Sequence, residues 1–91
     1  MDLDQEVRFS DTVFAQQVDG EMVLLDMKSE NYFGLDSVGT DIWQAIEKKK
    51  RLKEVLEILK EQYEADEDVL RRDLIAFVKQ LQEQGLIEVI S

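Results

Sequence analysis

The sequence predicts an α+β fold of winged helix-turn-helix outline: a three-stranded antiparallel meander followed by a three-helix bundle. The first third holds short apolar runs separated by turn residues, with Asp19-Gly20 between two of them. The remainder holds three stretches whose apolar residues recur at helical spacing. Strands therefore precede helices, and residues 1–91 read as a single domain with its strands at about 13–35 and its helices at about 37–84.

Residues 13–18 (VFAQQV) form the first predicted strand, and 21–29 (EMVLLDMKS) form the second. In the second, Val23, Leu25 and Met27 share one face; Met22, Leu24 and Asp26 share the other. Apolar residues on both faces suit a central strand. A polar turn at 28–31 leads into NYFGL, the third strand, which lies at an edge of the meander.

The first helix starts near Asp36 or Ser37, either of which can cap it, and runs to about residue 47. Val38, Ile42, Ala45 and Ile46 form its stripe, with Trp43 alongside. Residues 48–51 are basic and complement the negative end of that helix. The second helix, about 52–63, carries Leu52, Val55, Leu56, Leu59 and Tyr63. The third, about 67–84, carries Leu70, Leu74, Phe77, Val78 and Leu81, and Gly85 fits the position just past its end. LIEVI at 86–90 reads as a short last strand, which either pairs with the first strand or covers the edge of the third.

Composition narrows the chemistry. At 44% hydrophobic and 35% charged the chain reads as globular. It has no apolar run near the ~18 residues of a membrane span, and its acidic start, MDLDQEVRFS, is unlike a signal peptide. It contains no cysteine and no histidine, which removes disulfides, the commonest metal ligands and the commonest general base. No P-loop, GxGxxG, HExxH or EF-hand loop is present. Glu64, Asp66, Glu67 and Asp68 lack the glycine and closing glutamate of a calcium loop and read as a polar linker and helix start. We expect no catalytic residues, metal or cofactor.

The formal net charge of −10 argues against nucleic acid, whose phosphates need Lys and Arg. The outer face of the third helix mixes Arg71, Arg72 and Lys79 with Asp68, Asp73 and Glu83, unlike a DNA-reading helix. The charge favours partners with basic patches.

Residues 30–35 carry no proline or lysine to blunt an edge strand. Such an edge can accept an extended peptide as a further strand, with Gly34 letting a second backbone approach. The alternative is that Gly34 is a bulge that turns the chain into the first helix. A groove also needs a second wall. At about 100° per residue, Val69 and Ala76 fall on one flank of the third helix's stripe, with Asp73 and Gln80 between, and Ile75 on the other. The first flank is the candidate, because Ala76 leaves room for a strand and Arg72 and Asp73 offer polar anchors.

VLLDMKSENYFGLDSVGTDIW, followed by LRRDLIAFVKQLQEQGLIEV, resembles the PqqD-like family of peptide-recognition domains from ribosomal natural-product pathways. The pattern comprises Leu24-Leu25-Asp26, then Tyr32, Phe33 and Leu35, then Gly39, Ile42 and Trp43, then the run from Asp73 to Leu86. The lack of cysteine fits a cytoplasmic location, and the resemblance implies a winged-helix-like domain that binds the leader segment of a precursor peptide. The leader adds as a strand beside the third strand and lies against the third helix. Carried onto this chain, it would meet Glu30, Asn31, Tyr32, Phe33, Gly34 and Leu35, with Val69, Arg72, Asp73 and Ala76 as the helix wall. The chain looks most like the free-standing leader-binding subunit of lasso peptide systems, which works with a leader peptidase and a cyclase. Presentation to another modifying enzyme, such as a radical SAM protein, is the alternative within the family. The chain has no proline, whereas the pyrroloquinoline quinone chaperone typically carries a Tyr-Pro-Glu-Gly-type segment where this chain has Ser29-Glu30-Asn31-Tyr32.

Overall fold

A computed structural model describes residues 2–90. The expected domain limits, 1 and 91, lie outside the described residues. The elements run β1 (Val7–Phe9), β2 (Val13–Val18), β3 (Glu21–Asp26), β4 (Asn31–Gly34), α1 (Ser37–Lys48), α2 (Leu52–Gln62), α3 (Glu67–Glu83) and β5 (Ile87–Val89). The meander forms as expected, in the order β2-β3-β4 with β3 central and both pairings antiparallel. Asp19 and Gly20 both have positive φ, 53° and 85°, the geometry of a two-residue hairpin turn matched to strand twist.

The second strand stops at Asp26 rather than at residue 29. Met27 and Glu30 belong to the turn, and Glu30 has φ 63°, so it lies outside the strand that the sequence assigned to it. Met22, Leu24 and Asp26 form the buried face of β3, opposite Leu35, Phe33 and Asn31. Val23, Leu25 and Tyr32 lie on the other face, and Tyr32 is 72% exposed.

The helices fall within a residue of their expected ends. Asp36 is the cap of α1, its carboxylate accepting the Gly39 N–H at 2.8 Å. At the end of α3 the Leu86 N–H reaches Leu81 C=O and the Gly85 N–H reaches Gln82 C=O, the two bonds of a Schellman motif. The core gathers Leu24, Ile42, Trp43, Ile46, Leu52, Leu59, Leu74, Val78 and Leu86 between the sheet and the three helices. Val38 departs from expectation: its spacing matches the buried stripe of α1, yet it is 43% exposed, while Gly39 and Thr40 of the same turn are buried.

Residues 2–12 carry structure that the sequence does not predict. β1 pairs antiparallel with β5, Val7 opposite Val89 and Phe9 opposite Ile87. Backbone bonds from Leu52 to Gln5, Lys53 to Leu3 and Val7 to Lys50 strap this segment across the α1–α2 corner. Val7 is fully buried, and the Phe9 ring stacks on Trp43 at 3.9 Å between centroids. The last strand therefore pairs with neither β2 nor β4, and no strand among the described residues covers the outer edge of β4. No helix among them is long and apolar enough to cross a membrane.

Val7→Ala tests this strap. Two buried carbons at about 0.8 kcal/mol each, plus the cavity they leave, should cost about 2 kcal/mol in urea denaturation. An unchanged midpoint would show that the N-terminal segment is not part of the core.

Candidate functional site

The parity of β4 decides which backbone groups are free. In an antiparallel ladder, alternate residues exchange both bonds with the partner strand, and those between them point their N–H and C=O away. The Leu35 N–H donates to Met22 C=O at 2.9 Å, which sets the phase. With Phe33 opposite Leu24 in that register, Phe33 faces β3. Tyr32 and Gly34 then direct their N–H and C=O to the open edge. Gly34 pairs with Val23 in regular register, so it is a strand residue and not a bulge. A Cβ built on it would meet nothing within 4 Å.

Beside this edge, three adjoining hollows make one trough between the β4–α1 segment and α3. The first, about 230 Å³, is lined by Phe33, Gly34, Leu35 and Asp36 on one side and by Phe77, Gln80, Leu81 and Gln84 on the other. The middle one, about 250 Å³, lies between Asp36, Val38, Gly39 and Ile42 and the α3 residues Asp73, Ala76, Phe77 and Gln80. The third, about 150 Å³, is the apolar end, formed by Val38, Ile42, Leu59, Tyr63, Ala65, Val69 and Leu70 with Asp73. Its rim is tied by the Tyr63 hydroxyl, which donates to the Asp41 carboxylate. That bond, with burial, pushes the tyrosine pKa up to about 12.

Close packing shapes the middle of the trough. Gly39 has no side chain, and a Cβ there would come within 3.1 Å of the Phe77 ring and 3.3 Å of the Leu35 Cβ. Phe77 can therefore lie against the first turn of α1 and form the floor, where any larger residue would push it toward the trough.

The structure thus brings together Phe33, Gly34, Leu35, Val69, Asp73 and Ala76 of the expected residues. Glu30, Asn31 and Tyr32 extend along the same strand and its turn without lining the trough. Arg72, three positions after Val69 and four before Ala76, is not among the lining residues, while Ile75 faces the N-terminal segment, beside Leu3 and Gln5. Sequence reasoning missed the first turn of α1 as a wall, and Phe77 and Gln80 on α3. Gln80 falls beside the flank that periodicity picks out, seven positions after Asp73 and four after Ala76, but was not counted as a wall residue. Phe77 was assigned wholly to the core, whereas it is half-buried and serves both core and trough.

An uncovered edge strand with a trough beside it is a geometry that can accept an extended peptide as a further strand. The comparisons specify it further. Residues 21–87 match the family described as coenzyme PQQ synthesis protein D (PqqD), and the chain belongs to that family. Two solved structures are similar over nearly the whole chain. One is TbiB1 in complex with the TbiA(beta) leader peptide, at 36% identity and TM-score 0.86, covering 92% of this chain and 98% of that one. The other is lasso peptide synthetase B1 complexed with the leader peptide, at 30% identity and TM-score 0.82, covering 91% and 98%. No curated protein sequence matches.

Phe33→Pro should unfold the wing. Its N–H faces β3, so the substitution strands a buried acceptor at a cost of about 1–3 kcal/mol and adds a ring clash. Circular dichroism and thermal melting should show the loss before any ligand is added. A fully stable variant would reverse the assigned parity.

Proposed function

We propose that this chain, acting as one unit over residues 1–91, binds the leader segment of a ribosomally made precursor peptide. The leader adds as a strand to the outer edge of β4, and its side chains enter the trough against α3. The chain then presents the leader to a lasso peptide leader peptidase, with a cyclase acting after it. It contributes recognition and no catalysis. The observation that carries this reading is the uncovered β4 edge running beside an open trough, in a fold whose similar structures hold leader peptides.

Magnitudes fit a two-part site. Tyr32 and Gly34 each offer one N–H and one C=O, and at about 0.5–1.5 kcal/mol per bond these supply about 2–6 kcal/mol. Micromolar binding requires about 8 kcal/mol, and ordering a flexible peptide costs more on top. Backbone pairing alone is therefore insufficient. Two or three apolar side chains buried in the trough, at about 1.5–3 kcal/mol each, offset the difference. The guest must then be extended opposite residues 32–34 and carry apolar anchors toward α3.

Winged-helix DNA binding is disfavoured by the charge of −10, and Arg71 on α3 is engaged by Asp68 at 3.1 Å. The same groove, loaded with a leader, would serve any modifying enzyme that reads leader-bound chains, so the peptidase is identified by reconstitution rather than by the groove.

Titration calorimetry with leader peptides, comparing the unaltered chain with Ala76→Phe, tests the reading. Ala76 is exposed on the trough wall, so a phenyl ring there fills the trough without entering the core. We expect affinity to fall at least about tenfold with an unchanged melting temperature. Equal affinity would remove the trough from the site.

A further inference from the structure

Apart from the indole N–H of Trp43, which has no partner, the buried polar side chains among the described residues are Asp26, 7% exposed, and Thr40, 3% exposed. Buried polar groups are costly unless satisfied, and both of these are satisfied at β4, one at each end.

At the start of β4, Asp26 organises the turn. Its Oδ1 accepts from the Thr12 hydroxyl at 3.0 Å and the Lys28 N–H at 3.2 Å; its Oδ2 accepts from the Ser29 hydroxyl at 2.9 Å. Its carbonyl accepts the Glu30 N–H at 2.7 Å. The hydrogen bonds, Ser29 foremost, hold its carboxyl below the usual carboxylate range. Glu30 is thereby held at positive φ, and Asn31 enters the strand in fixed register.

At the far end, Thr40 of α1 replaces a rung of the ladder. Met22 and Leu35 are opposite each other, and the Leu35 N–H donates to Met22 C=O. The returning bond is absent. Instead the Met22 N–H donates to Thr40 Oγ1 at 2.9 Å, and that hydroxyl donates to Leu35 C=O at 3.4 Å. The hydroxyl is an inserted bridge that ties the ends of β3 and β4 to the first helical turn. That turn supplies Val38 and Gly39, which wall the trough.

We propose that Thr40 is a positioning residue for the docked strand, acting with Asp26 at the opposite end to hold β4 and α1 at the separation a guest requires. The inference rests on the leader-binding reading. Neither side chain lines the trough, so both act through the backbone. Tyr32 and Gly34 are two residues apart and must present their groups in one line to pair with a guest. A strand held at only one end would swing about that end and lose that alignment. The inserted hydroxyl also sets how far Leu35 diverges from Met22 as the chain turns into α1.

The test compares Thr40→Val, Thr40→Ser and Asp26→Asn with the unaltered chain, using a synthetic peptide of the TbiA(beta) leader sequence as probe in calorimetry. Thr40→Val keeps shape and loses the bridge; Thr40→Ser keeps the bridge. We expect Thr40→Val to weaken binding at least about tenfold, Thr40→Ser to stay within about twofold, and the melting temperature of Thr40→Ser not to predict its affinity. Asp26→Asn should weaken binding too, and it decides the matter if Thr40→Val does not fold. Affinity in Thr40→Val equal to that of the unaltered chain would overturn the positioning role, as would a loss in Thr40→Ser as large as in Thr40→Val. Absence of binding by the unaltered chain would instead count against the leader-binding reading itself, and the positioning role would fall with it.

Discussion

The pairing of β5 with β1 is the contact on which the rest of this structure turns. β5 follows α3 directly, and a strand leaving that helix is a natural candidate to cover a nearby sheet edge. Here Val7, Arg8 and Phe9 take it up instead, with Arg8 and Glu88 closing a 2.7 Å ion pair across the two strands. That exposed pair adds little by itself; the buried Val7 and Ile87 supply most of the stabilisation. The consequence lies elsewhere in the molecule. With its last strand engaged by its first, the chain leaves the outer backbone groups of β4 without a partner among the described residues, next to a trough that α3 does not fill.

A free strand edge is a hazard unless it is short or otherwise controlled. β4 has four residues, and only Tyr32 and Gly34 present outward groups. That is too little backbone to template aggregation strongly and too little to hold a peptide unaided. Recognition must therefore be shared between backbone and side chains. The trough supplies the second part, grading from the mixed surface of Gln80 and Gln84 to the apolar end around Val69 and Leu59. Chain entry and exit at β4 are held by buried polar groups, so the short rail behaves as a fixed element rather than a loop.

Much of this was legible in the sequence, for identifiable reasons. The helices run about three turns or more each, and Asp36 and Gly85 mark the ends of two of them. Asp19-Gly20 fixed the first hairpin because few dipeptides adopt its turn. The flank of α3 carrying Val69, Asp73 and Ala76 was placed on the trough side by periodicity and the small size of Ala76. β1 was not legible, since three residues are too few to show alternation and its partner lies some eighty positions away. The exposure of Val38 was not legible either. Its spacing matches the buried stripe, and only the tertiary gap between α1 and α3 leaves it outside. Arg72 borders the trough residues Val69 and Ala76 on the helix surface without lining the trough itself. Thr40 carried no signal, because a hydroxyl inserted into a ladder has no pattern in sequence.

The most direct test of the central claim is amide hydrogen exchange at residues 32–35, measured in the free chain and with leader peptide bound. Phe33 and Leu35 should be protected in both states, since their N–H groups face β3. Tyr32 and Gly34 should exchange freely without the peptide and become protected with it. Protection of Tyr32 and Gly34 in the free chain, or no gain in their protection when the peptide is bound, would contradict strand addition at β4.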